Sequence, residues 1–267
     1  MYKYMSMMDV SFNWWSLWGI VLGYDLIAYA GAAGVGYFIF WQWKQSRWQH
    51  LLIQKTLPEI KRVWYEIKYG LSTVFIFSTM ASLTLWALIN GHTRMYTPID
   101  ALGWPYFVLS IIFILVAHDA YFYWTHRIMH HPEIFKTVHK VHHKSTNPSP
   151  WAAYSFHPIE AVIQGGIFPL LAFTVPMYEG IYLFAFFYMI AIDTLVLHIG
   201  YEFFPKGFTT NKLTRWYITS THHNLHHRHV NCNYALYFTW WDVGMRTLSK
   251  QYHEVFESIK SRKKLES

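Results

Sequence analysis

Long apolar stretches dominate the chain. Three of them, at about 17–43, 69–89 and 104–124, each hold roughly the 20 residues needed to cross a hydrocarbon core about 30 Å thick. A fourth region, 159–199, is too long for one crossing and is interrupted by "VPMYEG" at 175–180. It predicts a helical hairpin that crosses and returns, or dips in re-entrantly. The first stretch is too long for a cleavable leader, and "MYKYMSMMDV" before it has no strongly basic n-region. The expected fold is all-α: a multi-pass membrane helical bundle of about four spans, or three plus a re-entrant hairpin.

Composition agrees with that pattern. Charged residues are 14% of the chain, against roughly 25% in soluble domains, while hydrophobic residues reach 53% and aromatics 20%. No linker rich in Gly, Ser or charge divides residues 1–267, so a single integral membrane domain is expected. The net charge of +7 suits anionic headgroups better than nucleic acid, given 14 Trp and 20 Phe in apolar runs. Of the 22 Lys and Arg, all but Lys3 and Arg94 fall on one side of the predicted spans, which the positive-inside rule makes cytoplasmic. Cys232 is the one cysteine, so any metal site must use nitrogen or oxygen ligands.

The histidines change the picture. Five occur in "THHNLHHRH" (221–229), with echoes in "HRIMHH" (126–131) and "HKVHH" (139–143), all on the basic side. Residues i and i+3 or i+4 share a helix face, so their imidazoles can converge on one ion. His126 pairs in this way with His130, His139 with His142 and His143, and His223 with His226 and His227. One such pair is ordinary on a solvated helix. Three groups on one side of a membrane chain predict a metal-binding helical cap facing the cytoplasm. Eight ligands exceed what one ion accepts, so two metals are expected; imidazole suits iron, zinc, copper and nickel alike. The Glu-x-x-His pairs of soluble di-iron bundles are missing from this sequence.

The ordered set "HDAYFYWTHRIMHH", "KTVHKVHHKSTNPSPWAAYSFHPIE", "LHIGYEFFP" and "THHNLHHRHVNCNYALYFTWWDVGMRT" resembles the fatty acid hydroxylase and sterol desaturase superfamily, nearest its sterol C5-desaturase branch. The resemblance covers His118 to Thr247, within a catalytic region of about 118–250. It implies that the three histidine groups are the family's eight box ligands. Two further ligands are matched by His157 in "SFHPIE" and His198 in "LHIGYE". It also implies a dinuclear iron centre (with zinc a possible occupant after purification), O2 as co-substrate, and oxidation of a sterol or lipid by desaturation or hydroxylation. No His-Pro-Gly-Gly of a fused haem module occurs in the sequence. Electrons are therefore expected from a separate donor: a cytochrome b5-like protein, a ferredoxin or a reductase. The location implied is the endoplasmic reticulum in a eukaryote or the inner membrane in a bacterium.

Metal-bound histidines usually donate their second N–H to a carboxylate or carbonyl. Candidates for that supporting role, or as extra ligands, are His118, two turns before His126, and His222, with Asp119, Glu160, Asp193, Glu202 and Asp242. His131 and His229 lie beside the boxes and are expected on the surface. Competing readings are a carotenoid or alkylglycerol-ether monooxygenase, with similar boxes, and a divalent-cation transporter or sensor. The last would need more polar positions inside its spans than Asp25, His118 and Asp193.

Overall fold

A computed structural model describes residues 13–43 and 45–263; Lys3, Lys44 and Lys264 of the charge pattern lie outside the described residues. Helix α1 (Trp14–Gly36) starts where Asn13 Oδ1 accepts the Ser16 N–H at 2.8 Å, and it continues as a π-helical tail over Tyr37–Trp43. A short α2 (Gln45–Trp48) turns the chain into α3 (Ile60–Ile89). Helix α4 (Trp104–Met129) follows Gly103, which takes a positive φ of 80°. The hairpin contains α7 (Pro158–Gly165) and α8 (Ile167–Thr174), then α9 (Glu179–Ile192) with a π-helical end at Asp193–Leu197. Between α4 and α7 lie two single turns, α5 (Pro132–Phe135) and α6 (Lys140–His143). After the hairpin come α10 (Ser220–His229), α11 (Trp240–Gly244) and α12 (Tyr252–Lys260).

Among the described residues, four helices are long and apolar enough to cross a membrane: Trp14–Trp43, Ile60–Ile89, Trp104–Met129 and Glu179–Leu197. The hairpin's outgoing leg, Pro158–Thr174, is shorter and bends at Gly166. Pro169 explains the bend, because it has no N–H to give to the carbonyl of Gly165 four residues back. The second and third helices both outrun their hydropathy. The third carries five more residues past Trp124, which brings His126 out at its end.

One close approach sets the packing of α1 on α3. Gly70 lies directly under the Tyr29 hydroxyl, so that any Cβ there would overlap it. Small residues allow such approach where no hydrophobic force draws helices together in lipid. Tyr29 then donates to the Trp151 carbonyl at 2.8 Å and stacks on Tyr154 at 5.0 Å. The 3-10 turn Pro150–Tyr154, just after the second histidine group, is thereby fastened to the membrane core.

At the opposite end, the two-residue strands β1 (Met95–Tyr96) and β2 (Met177–Tyr178) pair in parallel. They tie the loop between α3 and α4 to the hairpin tip. Arg94 lies there, far along the chain axis from the histidine end, as the charge asymmetry predicts.

Candidate metal centre

Nine histidines gather at the other end, in two adjoining groups. His126, His130, His139, His143 and His226 form one; His142, His198, His223 and His227 form the other. Within each group one nitrogen per residue lies within 4.8 Å of all the rest. Every box histidine is present, joined by His198. The π-helical end of α9 positions His198: its ring Nδ1 donates back to the Asp193 carbonyl at 2.8 Å, with an Asp193 carboxylate oxygen 3.2 Å away. π-turns inside helices are often functional, and this one aims a ligand.

The boxes do not map one to one onto the groups. Spacing alone joins His139 to both His142 and His143, and His223 to both His226 and His227. The structure instead sends His139, His143 and His226 to the first group, and His142, His223 and His227 to the second. Neighbours on a helix point about 100° apart, so each His-His pair fans out to serve both groups.

Hydrogen bonds outside the cage fix the tautomers. His126 Nδ1 donates to the Tyr234 carbonyl (2.9 Å), His139 Nδ1 to Glu160 Oε1 (2.6 Å), His226 Nδ1 to the Cys232 carbonyl (2.7 Å) and His227 Nδ1 to the Ser145 carbonyl (2.8 Å). Oxygen acceptors force a proton onto each Nδ1, which leaves each Nε2 as a bare lone pair facing inward. Yet His126 and His139 Nε2 are 3.1 Å apart, and His198 and His227 Nε2 3.2 Å, with Nδ1 bonded to an oxygen in all four rings. Two lone pairs at that distance repel unless a cation lies between them. Nitrogens held at about 2.0–2.1 Å by one ion would be about 2.8–3.4 Å apart for octahedral to tetrahedral angles, which matches. His143, with both ring nitrogens buried and unpartnered, and His226 Nε2, likewise unpartnered, complete the argument. The residues fit a pair of metal ions with all-imidazole ligands.

Burial, followed by the neighbouring imidazoles, pushes His130 down to about 2 and holds His139, His142, His143, His223 and His226 well below the usual histidine range. The cage is therefore neutral and ready for metal at pH 7. Free histidine in an unfolded chain takes a proton near pH 6.5, while the folded cage refuses it. As pH falls below about 6.5 the unfolded state gains protons that the native state does not, so stability must fall. We expect the melting temperature of chelator-stripped protein to drop steadily from about pH 7 to about pH 5. A flat profile over that window would show that these imidazoles are not buried in the neutral form.

The structure places the remaining expected residues differently. His157 is not brought to either group: it caps α7, accepting the Ile159 N–H on Nδ1 at 3.3 Å, because its extended backbone before Pro158 turns the ring back onto the helix start. His118 is buried against Phe168, and its Nδ1 meets the Tyr237 hydroxyl at 3.1 Å. Asp119 holds the backbone N–H of Tyr237 (2.8 Å) and Trp240 Nε1 (3.0 Å) rather than a histidine. His222 bonds Asp242 at 3.0 Å, facing away from the cage. Burial raises the Asp242 pKa, but His222, Thr247 and the Tyr234 N–H outweigh that and hold it below the usual carboxylate range. Through Tyr234, whose carbonyl takes the His126 proton, Asp242 supports the first group indirectly. Glu202 accepts from the Thr221 N–H (2.9 Å) and hydroxyl (2.7 Å), anchoring the start of α10. His131 and His229 are exposed. Glu66, on α3, carries no spacing signal: it is fully buried and accepts from the Ser149 hydroxyl in the loop after the second box.

Beneath the cage, on its membrane side, is a narrow cavity of about 20 Å³. Phe122, which touches the His126 ring at 5.0 Å, and Phe156, which touches His142 at 5.1 Å, line it. Phe77 separates it from a second narrow apolar pocket between α3 and α8.

A sequence model of the fatty acid hydroxylase family matches residues 111–247, just over half of the chain. Among curated proteins, the chain is 40% identical to the Delta(7)-sterol 5(6)-desaturase ERG3B of Gibberella zeae over 58% of its length and 46% of the relative's. It is 32% identical to erg3C of Aspergillus fumigatus, another Delta(7)-sterol 5(6)-desaturase, over 68% of the chain and 61% of the relative. With the lathosterol oxidase of Mus musculus it shares 31% identity over 58% of the chain and 50% of the relative. The chain thus spans from about half to under two thirds of the length of these relatives. No solved structure matches it. Its histidines stand in the order and spacing of the resemblance noted above, and the chain belongs to the fatty acid hydroxylase family, in the sterol desaturase-like branch.

Proposed function

We propose that the chain is an integral membrane, O2-dependent oxidoreductase that desaturates or hydroxylates a sterol or related lipid. The observation that carries this reading is the pair of all-imidazole groups standing over the cap end of a narrow, mostly apolar cavity. The nine clustered histidines are the proposed ligands, with two iron ions as the resident metals. With O2 and external electrons, those ions would supply the oxidising power for an unactivated C–H bond, which no acid or base side chain has.

The protein's part is positioning and exclusion. Phe77, Phe122, Phe156 and Leu236 make the reacting end apolar, and at about 20 Å³ the cavity between them admits a lipid chain only when these side chains move aside. His118, Gln164 and Asp193 are the polar points of that cavity and orient it. Glu160 and the carbonyls of Ser145, Cys232 and Tyr234 keep the protons on the outer nitrogens. Full reduction of O2 takes more electrons than one substrate yields, so a separate carrier must supply the rest. The basic, histidine-bearing end is assigned to the cytoplasmic side. The membrane is then that of the endoplasmic reticulum in a eukaryote, or the inner membrane in a bacterium. A cation carrier is disfavoured because Asp25 is already bonded to Ser78 at 2.6 Å and Asp193 to His198.

Lipid mass spectrometry of cells with and without the chain, paired with metal analysis, tests the reading. An altered sterol, sphingoid or acyl species, about two ions per chain and reductant-dependent O2 uptake are the expected results. Metal flux into vesicles with no O2 uptake would overturn it.

A further inference from the structure

Away from the cage, the cap holds a larger cavity of about 370 Å³, bordered by Thr209, Thr210, Arg215, Trp216, Thr239 and Tyr252. We propose that it binds the phosphate of an anionic lipid headgroup. The proposal rests on the reading of the chain as a membrane protein, and not on its catalytic activity.

Charge is the first support. Between Glu202 and Asp242 the sequence has no carboxylate, but it has Lys206, Lys212, Arg215 and Arg228. Arg215 is exposed at the cavity edge, its guanidinium 4.4 Å over the Trp216 ring, and makes no ion pair with a carboxylate among the described residues. A planar guanidinium with free donors is the usual partner of phosphate oxygens. The second support is a buried donor without a partner. Thr209 is 2% exposed, and its Oγ1 makes no hydrogen bond. A hydroxyl so buried is costly unless a ligand satisfies it.

Depth is the third. Asp119 lies ten residues before the end of α4 at Met129, about 15 Å along the helix. It holds Trp240 Nε1 at 3.0 Å, so the wall carrying Thr239 and Trp240 stands beside the upper part of a span. Thr239 binds the Arg215 carbonyl at 2.9 Å, which fixes Arg215 to that wall. Around the mouth, Leu213 is 85% and Val243 50% exposed, and Trp216 and Trp240 are exposed as well. Apolar side chains and tryptophans beside an arginine are the arrangement expected at the headgroup level of a bilayer.

The test uses the purified full chain in detergent, with native mass spectrometry and titration of dioleoyl phosphatidic acid. Wild type should retain one lipid at least tenfold more tightly than Arg215→Gln. Thr209→Val should lose affinity several-fold and Thr209→Ser should restore it. Dioleoylglycerol, lacking the phosphate, should not be retained. Competition with inorganic phosphate separates the sources: displacement only at large excess supports a lipid, whereas phosphate binding as tightly as the lipid overturns the headgroup assignment. Equal retention by wild type, Arg215→Gln and Thr209→Val overturns the site altogether. So does a loss in Arg215→Gln confined to an acidic protein partner, with lipid retention unchanged. None of these readouts depends on whether the chain oxidises anything.

Discussion

Alanine at His142 is expected to empty the four-histidine group while sparing the five-histidine one, and alanine at His226 to do the reverse. Each variant should carry about one ion per chain instead of two. Activity should fall by more than about a hundredfold, since even an outer partner of a metal ligand is worth up to that much. Membrane insertion should be unaffected, because neither residue lies in a span. Metal analysis beside an O2-uptake assay reads both effects. Full activity with two ions retained in either variant would remove that histidine from the ligand set. The asymmetry is the sharper part of the expectation. The sequence groups His226 with His223 and His227, whereas the structure places His226 in the other group. Loss of the same ion in His223→Ala and His226→Ala would contradict the split.

Gly200→Ala should be nearly as severe, although residue 200 touches no metal ligand through a side chain. Gly200 has φ of 80°, and a Cβ there would run into the ring of Trp41, itself held by a 2.9 Å bond from Nε1 to the Ile199 carbonyl. Backbone strain and overpacking together cost roughly 2–5 kcal/mol. A fall in melting temperature on the order of 10 °C is expected. Relief requires the backbone to shift, and His198 is two residues away. Occupancy of the four-histidine group should therefore drop more than that of the other. Adding Trp41→Phe should restore part of both, because it shrinks the ring that the new methyl meets. An alanine variant as stable and as fully metallated as wild type would show that this turn has slack.

Much of this molecule could be read from its order of residues, and the limits have physical reasons. Spans were legible because twenty apolar residues have few alternatives in water or lipid. The histidine boxes were legible because helical spacing is local. His198 and Glu160 were found as candidates through the resemblance and through the cost of burying polar groups. The division of the second and third boxes between the two groups was not legible, since it depends on where the far ends of three segments meet. Glu66 gave no signal either: a lone carboxylate at one end of a thirty-residue helix pairs with Ser149, 83 residues further on. His157 illustrates the converse. The resemblance implies a ligand there, whereas in this structure its ring accepts the Ile159 N–H at the start of α7 and stands outside both groups.

The pairs His142–His143 and His226–His227 each reach to both sides of the cage. Consecutive Cα atoms are fixed about 3.8 Å apart by a planar peptide. Two such peptides therefore tie the two histidine groups to each other through the backbone itself, in addition to the looser packing of helices. Bending of the surrounding bundle would therefore carry the two groups together rather than pull one away from the other.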